Sequence, residues 1–135
     1  MKAAVNLRAA VLQVLSHIAD RLKDLHASGY VHRDIKPGNI MWLPRKKRWT
    51  LIDVGCAAHT GTQAPTGFSL IYAAPEALKA YMAGKTGVEA TEALDAWSLG
   101  VLAIEFFTGN LVFDHMLALA YWISCEARSS LVMNW

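Results

Sequence analysis

The sequence is poor in cysteine and in surplus charge, and it lacks any long apolar run. Of its 135 residues only 2 are cysteines, Cys56 and Cys125. They form no CxxC pair and are too few for a disulfide scaffold, so a reducing, intracellular and cytoplasmic home is expected. The 13 basic residues nearly cancel the 11 acidic ones, leaving a net charge of +2. That balance excludes a polyanion binder working by bulk charge, so no nucleic-acid partner is expected. No run reaches the roughly 18 apolar residues a membrane span requires, and no membrane partner is expected either. The most apolar stretch, 93 to 125, is interrupted by Asp95, Glu105, Asp114 and His115 and reads as buried helix. The N-terminal MKAAVNLRAAV is no secretory signal, because Asn6 and Arg8 break it. Internal repeats and low-complexity tracts are absent. What the chain does have is apolar residues: a hydrophobic share of 54% can bury a core, so a folded chain is expected and the length suits one domain.

Along the chain, residues 6–28 form an amphipathic helix in outline. Leu7, Val11, Leu15, Ile18, Leu22 and Leu25 recur in steps of three or four, and Gly29 is the natural stop. Tyr30 to Asn39 mixes charge, Pro and Gly with no surviving period, so it reads as an ordered loop. Ile40-Met41-Trp42-Leu43 and Trp49-Thr50-Leu51-Ile52 flank a basic turn, the pattern of a hairpin. The run Arg45–Arg48 is read as that solvated turn rather than as a nuclear localisation signal. Residues 53 to 75 look long and irregular, 75 to 83 suit a short helix, and Gly84 to Ala93 reads as a surface insertion. Leu94, Trp97, Val101 and Ile104 mark a second strong helix over 93–108. Trp97, Phe106 and Phe107 are expected in the core. Met116 to Cys125 suits one more helix, and the tail 114–135 has no assignment.

The chemistry gathers at 32–39. Asp34, Lys36 and Asn39 place a carboxylate, an ammonium and an amide in fixed order, and a second carboxylate, Asp53, follows the hairpin. Phosphoryl transfer needs a carboxylate to orient a hydroxyl, a cation for the moving phosphate, and hard oxygens for Mg²⁺. Asp34 suits the first task, Lys36 the second, and Asn39 with Asp53 the third. The alternative is a plain polar turn. His17, His26, His59 and His115 form no metal-ligand spacing. Gly84-Lys85-Thr86 echoes a phosphate-binding loop, but Lys79 stands where that motif needs its first Gly, so it is rejected.

At this point the sequence resembles the eukaryotic protein kinase family. His32-Arg33-Asp34-Ile35-Lys36-Pro37-Gly38-Asn39 resembles its catalytic loop, HRDxKxxN. Asp53-Val54-Gly55 is similar to its DFG motif, Ala74-Pro75-Glu76 matches its APE motif, and Asp95-Ala96-Trp97-Ser98-Leu99-Gly100 resembles its DxWSxG helix start. The resemblance implies an incomplete kinase-like α+β fold: a mainly α-helical C-lobe with a short β-hairpin beside the catalytic loop and no N-lobe. It implies an activation segment over 53–76. It further implies a Ser/Thr kinase that uses ATP and Mg²⁺ on a protein substrate.

The resemblance also assigns roles. Asp34 would accept the substrate hydroxyl proton and Lys36 would steady the γ-phosphate. Asn39 and Asp53 would bind Mg²⁺, and Met41 would lie under the adenine. His32 would pack against the metal-binding loop. Arg33 would pair with a phosphorylated residue, for which Thr60, Thr62 and Thr66 are candidates. Ser69 stands where the family has a Thr that bonds the catalytic Asp and Lys, but flanked here by Phe68 and Leu70. Asp95 would hold the catalytic loop through backbone N–H groups.

Several features depart from the family pattern. The sequence contains no G-x-G-x-x-G loop, no VAIK-type Lys and no helix with its partner Glu. Val54 replaces Phe. Glu76 lacks a matching later Arg, since Arg128 has the wrong context, so a loosened segment is expected there. The chain alone is therefore expected to be a weak or inactive kinase. A non-catalytic, pseudokinase-like interaction module is the alternative, with a protein partner covering the surface where an N-lobe would dock. A truncated gene model is another.

Overall fold

The computed structural model describes residues 2–112. Helix α1 (Lys2–Ala27) starts earlier than its apolar pattern and ends one residue before the expected limit. It stops at Gly29, whose φ of 84° is the left-handed conformation that glycine adopts without strain. Strand β1 (Tyr30–Val31) follows, then a 3₁₀ turn over Pro37–Asn39. Strands β2 (Ile40–Leu43) and β3 (Arg48–Leu51) pair antiparallel, with Met41 opposite Thr50 and Trp42 opposite Trp49. Pro44–Lys46 and a left-handed Lys47 make the basic turn.

Residues 53 to 75 are more regular than their composition suggests. They hold strand β4 (Ala58–His59), which pairs with β1, and strand β5 (Gln63–Pro65). Helix α2 (Pro75–Met82) begins on a Pro in its first turn, where the missing N–H costs nothing. The stretch read as a surface insertion contains strand β6 (Gly87–Glu89), and this strand pairs antiparallel with β5. Helix α3 (Glu92–Thr108) ends at Gly109 with φ 71°.

Ile18 and Leu22 of α1, Ile35 of the loop, Tyr72, and Val101 and Leu102 of α3 form the core, with Trp49 and Leu51 of the hairpin packed against it. Of the α1 stripe Val11, Ile18 and Leu22 are buried and Leu15 and Leu25 half-buried, but Leu7 is 60% exposed. The α3 stripe is turned from the expected one. Trp97 (39% exposed), Ile104 (50%) and Phe107 face outward, and only Phe106 of the three expected core aromatics packs on the core. The buried face carries Leu94, Asp95, Ser98, Val101 and Leu102. Two of these are polar, so hydrophobic periodicity alone could not find the face. Ser98 is satisfied there, donating to Tyr72 O at 2.6 Å. Among the described residues, no helix is long and apolar enough to cross a membrane. The expected helix Met116–Cys125, the tail 114–135 and Arg128 lie outside the described residues.

Candidate active site

Asp95 sits on the buried face of α3 and is fully shielded from solvent. Its Oδ2 accepts the backbone N–H of His32 and its Oδ1 that of Arg33, both at 2.8 Å. Burying a carboxylate is expensive unless its lone pairs are used. Here both oxygens are used, and the result is a rigid seat for the loop. Arg33 itself takes a φ of 71°, a left-handed conformation that costs a non-glycine residue about 1 kcal/mol or more. The two bonds to Asp95 offset that cost. They also fix the direction in which the chain leaves for Asp34.

From that seat Asp34, Lys36, Asn39 and Ser69 come together. Ser69 Oγ donates to Asp34 Oδ1 at 3.0 Å. Lys36 Nζ donates to Ser69 Oγ at 2.9 Å and lies 3.2 Å from Asp34 Oδ2. Asn39, buried, donates through Nδ2 to Asp34 O at 2.8 Å and to Asp34 Oδ2 at 3.1 Å. Asp34 is thus held from three sides. A carboxylate has about four acceptor positions, so capacity remains for a further donor.

Asp53 stands one residue past the bond that closes the hairpin on the loop, Ile52 N–H to Asn39 O at 2.9 Å. Its φ is 59°, and its exposed carboxylate accepts Gly55 N–H at 3.1 Å. His32 is buried. Its Nε2 reaches Ile52 O at 3.2 Å, and its Nδ1 accepts Asp34 N–H at 3.2 Å. Because Nδ1 accepts, Nε2 carries the proton, so His32 links the 32–39 loop to the residue before Asp53 as a packed connector. Val54 is 65% exposed, and Met41 is exposed on β2.

A cation would be held by Asn39 and Asp53. Among the described residues no group of three or more His, Cys, Asp or Glu could hold a metal ion. The donor set still suits Mg²⁺, which keeps waters and phosphate oxygens and takes only one or two protein carboxylates. Asn39 uses its NH₂ on Asp34, which leaves its amide oxygen as the end for a cation.

Arg33 engages no side chain of the candidate threonines. Nη1 donates to Cys56 O at 3.0 Å and Nη2 donates to Pro65 O. The guanidinium is buried, and Nε has no partner among the described residues. Burial holds its pKa below the usual arginine range, opposed by the nearby Cys56 and Asp95. Thr60 and Thr62 are exposed and Thr66 is half-buried. Glu76 is exposed in the first turn of α2 and makes no ion pair among the described residues.

Two contributors had no usable signal in the sequence. His26, at the end of α1, meets Asp95 through Nε2 at 2.8 Å. Tyr72 donates its hydroxyl to Glu105 Oε2 at 2.5 Å and ties the 53–76 stretch to α3. A His in a last helical turn and a Tyr before an Ala-Pro-Glu carry no local pattern that singles them out.

The model of the protein kinase domain family matches residues 4–129. The chain belongs to the protein kinase domain family. It is 34% identical over 122 residues to the human serine/threonine-protein kinase Kist, covering 87% of this chain and 28% of that protein. It is 38% identical over 111 residues to the human serine/threonine-protein kinase SBK2, covering 81% of this chain and 32% of the relative. The bacterial serine/threonine-protein kinase Pkn1 of Myxococcus xanthus is 35% identical over 109 residues, covering 78% and 15%. The chain thus spans less than a third of the length of these kinase relatives.

Proposed function

We propose that this chain carries the catalytic floor, the C-lobe portion, of a protein serine/threonine kinase. The observation that carries the reading is the convergence on Asp34 of Ser69, Lys36 and Asn39. A substrate Ser or Thr hydroxyl would donate to the free acceptor position of Asp34. As its oxygen bonds to the γ-phosphorus of ATP, the bond from that phosphorus to the bridging oxygen breaks, ADP leaves, and the hydroxyl proton passes to Asp34. Lys36 neutralises charge on the transferred group, and Ser69 keeps the ammonium and the carboxylate in register. Asn39 and Asp53 would hold Mg²⁺, which supplies charge neutralisation on the phosphates. Met41, exposed on β2, would underlie the adenine.

The test is transfer of labelled γ-phosphate to a generic basic protein, with the protein at its natural full length. Asp34→Asn should lower transfer by about 100-fold or more with the melting curve unchanged. Transfer that survives Asp34→Asn sinks the reading.

A second reading rests on the exposed apolar side chains beside the site, Met41, Trp42 and Val54. They suit a non-catalytic module that binds another folded unit there. Melting that ignores Mg-ATP, together with a stable complex on a sizing column, would favour it.

A further inference from the structure

We infer that the activation segment is held in its ordered form by strand β6 and by Arg33, with no need of a phosphorylated threonine. Three observations support this. First, the segment is paired on the side of the insertion. Gln63, Ala64 and Pro65 lie opposite Glu89, Val88 and Gly87. The pairing continues beyond the strands, with Gly61 N–H on Ala90 O at 2.8 Å and Ala90 N–H on Thr62 O at 2.9 Å. Ala64 and Ala90 are buried with Val31 in a small core of their own. Second, the segment is paired on its other side through β1 and β4, and Thr60 N–H donates to Gly29 O at 3.0 Å. Third, the guanidinium that would receive a phosphate is already engaged. Both terminal nitrogens of Arg33 donate to carbonyls at the two ends of this stretch, Cys56 O and Pro65 O. Nε is buried, and the residue as a whole is only 8% exposed. Two of the five guanidinium N–H donors are spent on these carbonyls, so the side chain fastens both ends of the stretch with no phosphate present. Thr62 is committed as well, since its hydroxyl donates to His59 O at 2.7 Å.

The inference uses the kinase reading for what the segment does, not for how it is held. Its test therefore reads amide exchange and not phosphate transfer, so either can fail without the other. Hydrogen exchange is measured on the full chain after phosphatase treatment, with the absence of phosphate checked by mass. The amides of Gly61 and Ala64 should be protected as strongly as those of β1. Val88→Pro places a residue without an N–H opposite Ala64 and should speed their exchange by about tenfold, the loss of one to two hydrogen bonds, while α3 stays protected. Should Val88→Pro fail to fold, Gly87→Val opens the same pair more gently. A Cβ at Gly87 meets Ala64 O at 3.2 Å, so that carbonyl must give by a few tenths of an ångström to admit a side chain. Unprotected Gly61 and Ala64 amides in the phosphate-free wild type would overturn the inference. So would full protection in a folded variant of β6.

Discussion

His26 Nε2 and Asp95 Oδ2 meet at 2.8 Å across 69 residues of chain. A carboxylate only accepts, so the imidazole donates. The same Oδ2 accepts His32 N–H, and Oδ1 accepts Arg33 N–H. One buried side chain therefore fastens the end of α1 and the start of the 32–39 loop to α3.

Removing that carboxylate should be severe. Asp95→Ala leaves the N–H groups of His32 and Arg33 buried without acceptors. At about 1–3 kcal/mol for each of these two orphaned groups, a loss of about 2–6 kcal/mol is expected in urea denaturation. A loss below about 1 kcal/mol would mean that the loop finds other partners.

Tyr72 gives a pH dependence. Burial, and then its bond to Glu105, raise its pKa above the ordinary value of 10.0. The fold thus keeps the phenol proton after the unfolded chain has lost it. Its contribution is whole below pH about 10 and falls as pH climbs from there toward the raised value. The stability difference between wild type and Tyr72→Phe should be flat from pH 7 to 9 and shrink above 10. A difference that grows with alkali would reverse the assignment.

Ser69 should act as a positioning residue. It touches both Asp34 and Lys36, and only its hydroxyl does so. Ser69→Ala should cut phosphate transfer by about tenfold, the worth of roughly one hydrogen bond to charged groups, and Ser69→Thr should restore it. Equal rates for both variants would remove Ser69 from the site.

The meeting of Asp34, Lys36 and Asn39 was legible because these residues stand close together in the chain, between His32 and Asn39. The stripe of α1 was legible from Val11 onward because its buried face is apolar. The face of α3 was not, since Asp95 and Ser98 are buried through hydrogen bonds that form only in the fold. Strands β5 and β6 also escaped. Gln63-Ala64-Pro65 and Gly87-Val88-Glu89 have no alternation, and they are strands only because tertiary packing sets them side by side. The partners of Arg33 escaped for a related reason: backbone carbonyls have no residue type to read.

The seat beneath the 32–39 loop has a consequence for the growing polypeptide. Asp95 follows His32 by 63 residues, so a ribosome delivers the loop long before it delivers the anchor. Until α3 has emerged, the backbone N–H groups of His32 and Arg33 lack the carboxylate that seats them. A translational pause ahead of residue 95 therefore exposes an unformed loop to chaperones and proteases, whereas a pause after α3 does not.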